Sequence, residues 1–501
     1  MQDIVICSVP YSYLNYIYSA PAILKGVLLQ NGYSARTADF GIKLYKMCDR
    51  DKVKFAKVQN YFVNDDLISN DVENFYASCI DYFKQNPSKY IGLCVWSVFA
   101  HKAVYDLCER IKKAGIESKI IIGGRGCKVK PFADVSQYLE LKPTEKILSF
   151  GDFLKKRKLI DECVIGDGED AILAIVSGKE YVPDPNSESF KYPVPDYADY
   201  NFEEYFVDDE LMLPITGSKG CVRDCDFCDI KFQFGKYRYR TGQDIANEMI
   251  TISKQYGIKK FQFTDSLVNG GLKPFMEFLE ILSKYNLENP SQKIRWNGQY
   301  ICRLENQIPK NYYKLMQQSG AHGMNIGAES GSNQVLKSIN KKTTVEALYT
   351  ELEQFRQHGI TCTLLTFVGH WSETWEDFKQ TCQMLLVCAR YVRSGTISAI
   401  SLGLPMMMLD GTPAFDNMQE NHVEASVFDD NNIWINIKNS ENTFRERVLR
   451  RLIVFEICKK LNIPTTLDYE NFSYLKSVID THYVKINQYY EDQLANCITE
   501  H

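Results

Sequence analysis

The sequence has 501 residues, of which 45% are hydrophobic and 24% charged, and this composition excludes a disordered or fibrous protein. At this length we expect roughly two to four domains. The formal net charge of −5 gives no overall basic field for nucleic acid or anionic membranes, and no run of about 18 apolar residues predicts a membrane span.

The first 180 residues alternate strand-like and helix-like segments. Short apolar runs occur at 4–7, 90–95, 119–122 and 163–165. Helical periodicity occupies 21–31 and about 102–114. Strands that alternate with helices predict a doubly wound parallel sheet of flavodoxin or Rossmann type over residues 1–180. The more polar segments 45–88 and 128–160 are interpreted as insertions.

The N-terminus enters a strand-like run at once, without a basic or long apolar leader, so we expect no signal peptide. Most of the 16 cysteines stand singly in apolar runs, where thiols are ordinarily small core residues of a reducing compartment. A cytoplasmic protein is therefore predicted.

A second alternating series follows a proline-rich stretch at 181–205, which we interpret as a linker. Its predicted strands lie at 211–216, 260–264, 293–297, 324–328, 362–367 and 397–402. Six β/α units over 206–424 predict an open, partial (β/α)6 barrel, with ligand-binding loops at the carboxyl ends of the strands. Residues 425–501 are predicted to form a C-terminal helical region, including an amphipathic helix at 444–461.

Three cysteines form a tight group directly after the first strand of this series. Cys221, Cys225 and Cys228 have the spacing C-x3-C-x2-C. Three thiolates can hold an iron–sulfur cluster and leave one iron without a protein ligand. A structural zinc site is the main alternative, but it requires four ligands and no matching downstream pair occurs.

This motif, with the aromatic Phe227 before its last cysteine, resembles that of the radical S-adenosylmethionine superfamily. The resemblance implies that Cys221, Cys225 and Cys228 ligate a [4Fe-4S] cluster and that S-adenosylmethionine chelates the fourth iron. The reduced cluster would then cleave the sulfonium to methionine and a 5′-deoxyadenosyl radical. An external electron donor of flavodoxin or ferredoxin type is an implied partner.

Polar residues at the ends of later predicted strands are also similar to those of this superfamily. Asp265 and Asn297 end the second and third strands, and Glu329 and Ser330 are similar to the family's Gly-x-Glu-Ser-Gly signature. With Phe227 they are the candidate S-adenosylmethionine-binding residues, and no catalytic residue is assigned. Glu329 and Ser330 could instead cap the following helix. In the turn after the fifth predicted strand, the family usually has a proline, and this sequence has Trp371 in its place.

The N-terminal segment resembles the cobalamin-binding subgroup of this superfamily, many of whose members are methyltransferases. The expected function is therefore a cobalamin-dependent methyltransferase for a small or peptidic substrate. Cobalamin binding itself stays open, because Asp39-Phe40-Gly41-Ile42 has no histidine to ligate cobalt. The alternatives are a rearrangement or cyclisation, methylthiotransfer with a second cluster on Cys7, Cys48 and Cys79, and an iron–sulfur electron-transfer or sensor protein.

Overall fold

The computed structural model describes residues 1–14, 16–63, 69–129, 149–181, 190–205, 211–403, 405–409, 411–424, 434–439 and 441–466. The chain divides into two compact units. The first comprises Met1–Gly217 and Arg238–Thr264, and the second comprises Ser218–Tyr237 and the described residues from Asp265 onward.

The first unit contains a five-stranded parallel sheet in the order β2-β1-β3-β4-β5. Its strands are β1 (Gln2–Ser8), β2 (Ala35–Asp39), β3 (Ser88–Cys94), β4 (Lys119–Gly123) and β5 (Glu162–Val164). β1 is an interior strand, because Ile4 pairs with Ala35 on one side and with Tyr90 on the other. The predicted parallel sheet is confirmed.

Helices cover both faces of this sheet. They are α1 (Ser19–Gln30), α2 (Phe40–Met47), α3 (Lys52–Asn60), α4 (Asn70–Gln85), α5 (His101–Lys113), α6 (Phe150–Lys156) and α7 (Gly168–Ser177). Ile4 and Ile6 share a core with Leu28 of α1 and Ile172 of α7. Because alternate residues of a strand face opposite ways, Cys7 lies on the other face, and it is fully buried.

Residues 45–88 are not the irregular insertion that their polarity suggested. They contain the whole of α3 and α4, and the apolar residues Val72, Phe75, Cys79 and Phe83 of α4 recur at helical spacing and are buried. The strand β2 was not predicted from the sequence. As an edge strand it needs little apolar surface, and its sequence, Ala-Arg-Thr-Ala-Asp, is accordingly polar.

The remainder of the first unit holds β6 (Leu213–Ile215), β8 (Arg238–Tyr239), α9 (Gly242–Tyr256) and β9 (Lys260–Phe263). β6 and β9 pair in parallel, with Leu213 opposite Phe261. They are the first two strands of the predicted barrel series. Residues 190–201 of the predicted linker form no helix or strand, and Pro183 and Pro185 lie outside the described residues.

The second unit continues the series. Its strands are β7 (Ser218–Lys219), β10 (Arg295–Asn297), β11 (Gln299–Tyr300), β12 (Met324–Glu329), β13 (Cys362–Thr366), β14 (Ile397–Leu402), β15 (Val423–Glu424) and β16 (Ile435–Asn436). The strands β11 to β14 form one parallel sheet in chain order. The α/β fold class with two successive parallel systems is confirmed.

The helices of the second unit are α8 (Ile230–Phe234), α10 (Leu272–Glu288), α11 (Tyr312–Ser319), α12 (Asn333–Ser338), α13 (Val345–His358), α14 (Trp375–Arg393), α15 (Pro413–Asp416) and α16 (Phe444–Lys460). α16 lies close to the predicted bounds 444–461, but it is not amphipathic as predicted, because its buried residues include Arg447, Arg450 and Arg451. The tail beyond residue 466 lies outside the described residues, and the domain limits at 180, 205 and 424 stay predictions. No helix in the described ranges is long and apolar enough to cross a bilayer.

Candidate functional site

The three clustered cysteines lie on a loop between β7 and α8. The loop begins at Gly220, whose φ of +82° favours glycine, and a side chain there would lie 3.1 Å from the Lys236 carbonyl oxygen. Within the loop, the Cys228 amide donates to the Cys225 carbonyl at 3.1 Å, and the Arg223 amide donates to Cys221 Sγ at 3.3 Å. The turn therefore gathers the thiols on one short segment.

Hydrogen bonds to neighbouring segments hold this loop from outside. The Asp226 amide donates to the Ile339 carbonyl at 3.1 Å, and the Asp226 carbonyl accepts from the Ala414 amide at 2.9 Å. Asn340 Nδ2 donates to the Asp224 carbonyl at 2.8 Å. None of these bonds uses a thiol, so the loop is fixed while all three thiols stay available to a cluster.

Phe227 packs as a hydrophobic anchor of the same loop. Its ring lies 5.1 Å from the ring of Phe367, and it also packs beside the buried cluster that contains Trp371 and Met408. The structure thus gives Phe227 a packing role. Its predicted contact with S-adenosylmethionine stays a prediction.

The three thiols are half-buried, and burial raises the pKa of each. The pKa of Cys225 is raised to about 11, and those of Cys221 and Cys228 are raised as well. Metal ligation requires thiolates, so loading a cluster here must displace the protons. The described residues contain no group of three or more His, Cys, Asp or Glu side chains placed to bind one metal ion.

Glu329 ends β12 in an unusual backbone conformation and forms a buried ion pair. Its φ is +58°, and the pairing of β12 with β13 is irregular between Gly327 and Glu329. Lys341 Nζ lies 2.5 Å from Glu329 Oε1. Burial alone would lower the pKa of Lys341, but the negative charges of Glu329 and of an ionised Cys225 raise it. A charged pair therefore lies beside the cysteine loop.

Gly327 leaves the room for this ion pair. A Cβ atom at this position would lie 2.4 Å from Glu329 Oε1 and 2.5 Å from Lys341 Nζ. Lys341 was missed by sequence reasoning, because a lysine after a short helix carries no periodic or motif signal.

Asp265 and Asn297 lie at the predicted strand ends. Asp265 is buried, and its Oδ2 accepts a hydrogen bond from Ser218 Oγ at 2.6 Å. Asn297 is the last residue of β10 and is half-buried. Ser218 lies three residues before Cys221, so Asp265 contacts the start of the cysteine loop. Sequence reasoning did not identify Ser218.

Ser330 is buried behind Glu329. Its Oγ lies 3.1 Å from Thr381 Oγ1 and accepts from the Ser332 amide at 3.1 Å. The helix α12 is capped by Ser332, whose Oγ accepts from the Val335 amide, so the capping role considered for Glu329 and Ser330 belongs to Ser332. Cofactor binding by Asp265, Asn297, Glu329 and Ser330 stays a prediction.

Three further polar side chains, those of His370, Arg238 and Arg240, have structural partners. His370 is buried with Nδ1 2.8 Å from Ser372 Oγ, and burial lowers the pKa of its imidazole to about 3. Arg238 pairs with Asp167 at 2.5 Å. Arg240 pairs with Glu248 at 2.7 Å, and both side chains are buried.

The first unit presents aromatic side chains just beyond the carboxyl ends of β1 and β3. Their ring centroids lie 5.4–6.3 Å from one another in the contacting pairs of Tyr11, Tyr13, Tyr16, Tyr18, Trp96 and Phe99. Tyr13 is 54% and Phe99 37% exposed, and the buried Tyr18 hydroxyl has no hydrogen-bond partner in the described structure. An exposed aromatic surface with an unmatched hydroxyl fits a large ring with polar substituents.

No histidine in this unit is placed to ligate a metal at that surface. Asp39 accepts from the amides of Gly41 and Ile42 and from Tyr205 Oη at 2.8 Å, which fixes its carboxylate. His101 is fully buried and stacks on Phe150 at 3.9 Å.

Comparison with known proteins identifies the class. Residues 215–385 match the Radical SAM superfamily, and this segment holds the three cysteines together with Glu329 and Lys341. The segment 215–385 is therefore similar to the radical S-adenosylmethionine superfamily, as the cysteine motif predicted.

The chain is also similar in sequence to individual curated proteins. The chain is 28% identical over 160 residues to a cytidylyl-2-hydroxyethylphosphonate methyltransferase of Streptomyces wedmorensis, covering 30% of this chain and 28% of that protein. It is 25% identical over 259 residues to an anaerobic magnesium-protoporphyrin IX monomethyl ester cyclase of Rubrivivax gelatinosus, covering 46% and 45%. The chain thus spans less than half the length of these curated relatives.

The fold is similar to that of the radical S-adenosylmethionine methyltransferase TsrM from Kitasatospora setae, solved with cobalamin and a [4Fe-4S] cluster. The TM-score is 0.61 at 16% identity, over 86% of this chain and 82% of that chain. The similarity extends over most of the chain and shows that the two proteins share a fold.

Proposed function

We propose that this chain is a cobalamin-dependent radical S-adenosylmethionine methyltransferase for a small or peptidic substrate. The proposal rests on the cysteine loop. This loop lies within the segment that matches the superfamily, and the hydrogen bonds that hold it to neighbouring segments do not involve its thiols. Cys221, Cys225 and Cys228 would hold a [4Fe-4S] cluster. S-adenosylmethionine would take the iron that has no protein ligand.

The surrounding residues bind and orient S-adenosylmethionine. When bound, the cluster and S-adenosylmethionine supply one-electron cleavage, and cobalamin supplies a carrier for the methyl group. Glu329 and Lys341 together offer an acceptor for an ammonium group and a donor for a carboxylate. Asp265 and Asn297 add polar groups at neighbouring strand ends, and Ser330 fixes the turn after Glu329 through Thr381.

The aromatic surface of the first unit is the proposed cobalamin-binding region. It lies at the carboxyl ends of β1 and β3, where doubly wound sheets bind their ligands. Tyr13 and Phe99 would cover apolar ring surface, and the Tyr18 hydroxyl would find a polar partner.

Two other reactions, ring formation or rearrangement and methylthiotransfer, are the alternatives to methyl transfer. The similarity to a cyclase keeps ring formation or rearrangement as a second candidate. Methylthiotransfer would require a second cluster on Cys7, Cys48 and Cys79, but each of these residues is at most 1% exposed, and burial raises the pKa of each thiol. Buried core thiols of this kind do not support that alternative.

The test is an anaerobic activity assay on the reconstituted full-length chain. The protein would be loaded with iron, sulfide and cobalamin, reduced with dithionite or with flavodoxin, and supplied with S-adenosylmethionine. We expect 5′-deoxyadenosine, and also S-adenosylhomocysteine in an amount limited by the reduced cobalamin, which would accept the methyl group when no substrate is added. Cys225→Ala should abolish both products and the visible absorption of the cluster, while Cys382→Ala, at a half-buried position on α14, should retain both.

The products separate the alternatives. 5′-Deoxyadenosine without S-adenosylhomocysteine would favour rearrangement or cyclisation over methyl transfer. A fully loaded protein that forms neither product would overturn the proposed activity and leave an iron–sulfur electron-transfer or sensor role.

A further inference from the structure

Two cysteines of the first unit are in contact although they lie far apart in the sequence. Cys127 lies in the short 3₁₀ turn Arg125–Lys128 that follows β4, and Cys163 is the middle residue of β5. The pairing of Ile122 in β4 with Cys163 brings the two segments together. The thiols of Cys127 and Cys163 form a hydrogen bond with each other. The proposed function uses neither of them.

Gly151 leaves the space in which this pair of thiols lies. The helix α6, which contains Gly151, packs against both the turn that holds Cys127 and the strand β5. A Cβ atom at Gly151 would lie 2.4 Å from Cys163 Sγ and 3.5 Å from the Cys127 carbonyl oxygen. The sulfur of Cys163 therefore occupies the position that a side chain at residue 151 would require.

The two thiols differ in access and in acidity. Cys163 is half-buried, whereas Cys127 is fully buried. The hydrogen bond from the Cys127 thiol lowers the pKa of Cys163, although burial opposes this effect. The same hydrogen bond, together with burial, raises the pKa of Cys127. Because the thiolate is the nucleophile, Cys163 is the thiol of this pair that reacts first with a molecule from solution.

The position of β5 in the sheet allows the two sulfurs to approach further. A disulfide requires a distance of about 2.0 Å between the sulfurs, which is shorter than a hydrogen-bond contact. β5 is an edge strand of only three residues, and in the described sheet it pairs only with β4. A small shift of such a strand disturbs few ladder hydrogen bonds, so Cys163 can move towards Cys127 while the rest of the sheet keeps its register.

We propose that Cys127 and Cys163 are a reversible oxidation site, at which a low-molecular-weight disulfide such as oxidised glutathione converts the two thiols to a disulfide. The Cys163 thiolate attacks one sulfur of the oxidant, forms a mixed disulfide and expels one small thiolate. Cys127 gives up its proton to that thiolate and attacks the Cys163 sulfur, which releases the second small thiolate. Two protein thiols are thus oxidised and one small disulfide is reduced to two thiols. The site does not depend on the proposed methyltransferase activity.

The proposal is tested by peptide mapping of the reconstituted full-length chain. The protein would be incubated anaerobically with oxidised glutathione, its remaining thiols alkylated, and its peptides analysed by mass spectrometry. We expect Cys127 and Cys163 to lose their reaction with the alkylating agent and their two peptides to be joined. Dithiothreitol should restore both thiols. Cys94→Ala, which removes another half-buried thiol of the same sheet, should keep the link.

Single variants separate the roles of the two thiols. Cys127→Ser should stop at the mixed disulfide, with one glutathione on Cys163, whereas Cys163→Ser should gain no glutathione on Cys127. If Cys127 and Cys163 of the wild-type protein both stay open to alkylation, or if each is joined to a different cysteine, the proposal is wrong and the pair is only a packing contact. The wild-type peptide map decides this even if a serine variant does not fold.

Discussion

Gly327 is the residue at which the ion pair beside the cysteine loop is most easily disturbed. Gly327→Ala would place a methyl group against Glu329 Oε1 and Lys341 Nζ, the far ends of two flexible side chains. The side chains should therefore move while the backbone stays, at a cost of about 1 kcal/mol in the free energy of unfolding. We expect 5′-deoxyadenosine formation to fall about tenfold, equivalent to about 1.4 kcal/mol.

The matched control is Gly92→Ala in β3, where the added atom meets Ile4 and Ile6 side chains at 3.6 Å. Urea unfolding and the product assay would be measured on both variants. Full activity in Gly327→Ala would contradict the role proposed for Glu329 and Lys341 in binding S-adenosylmethionine.

Glu351 should make the stability of the second unit depend on pH. Its carboxyl is 1% exposed and accepts from Tyr300 Oη at 2.7 Å and from the Arg303 amide at 3.3 Å. Burial raises the pKa of Glu351 to about 7, although these hydrogen bonds oppose the rise. Between the ordinary value of 4.5 and 7, the folded protein keeps a proton that the unfolded chain releases. The stability contributed by this group therefore falls as pH rises through that window.

The measurement is urea unfolding at pH 5 and pH 8. Glu351→Gln should remove a pH-dependent difference of up to about 3 kcal/mol. Glu353→Gln is the control on the same helix, because Glu353 is only half-buried and its lowered pKa, about 2, lies outside this range. An unchanged pH dependence in Glu351→Gln would show that Glu351 does not titrate there.

At the scale of elements, α16 is joined to the turn after β13 by a buried ion pair. Arg450 Nη1 lies 2.7 Å from Glu373 Oε2, and both side chains are at most 1% exposed. Arg450→Met would leave Glu373 charged and unpaired, so we expect a loss of about 3–5 kcal/mol in the free energy of unfolding. The double variant Glu373→Gln with Arg450→Met should recover part of the loss. Chemical denaturation of the three proteins measures the coupling, and equal losses in the single and double variants would contradict it.

The elements that sequence predicted well have regular apolar periodicity. The helix predicted at about 102–114 is observed as α5 (His101–Lys113), and the strand predicted at 119–122 is observed as β4 (Lys119–Gly123). The cluster cysteines were identified because their spacing reflects local chain geometry. Lys341 and Ser218 were not, because their partners Glu329 and Asp265 are 12 and 47 residues away. Contacts of that kind depend on tertiary packing and leave no pattern in the local sequence.

For the whole molecule, the distribution of histidines predicts how cobalamin would bind. The first 264 residues contain one histidine, His101, which is fully buried with Nε2 2.9 Å from the Gly126 carbonyl oxygen. Burial lowers the pKa of His101 to about 4. We expect cobalamin to bind without an imidazole ligand from this unit. Paramagnetic resonance of the Co(II) form should lack nitrogen splitting from a protein histidine, in the wild-type protein and in His101→Phe alike. Nitrogen splitting lost in His101→Phe would contradict this expectation.

The cysteine loop is held by bonds to Ile339, Asn340 and Ala414 that involve none of its thiols. In a zinc finger, by contrast, metal binding and folding are one event. We therefore expect the loop to be ordered when the chain folds, before any iron is bound. If oxygen destroyed the cluster, the loop would therefore keep its conformation. Rebuilding the cluster would then require only iron, sulfide and electrons, and the protein would not need to unfold and refold.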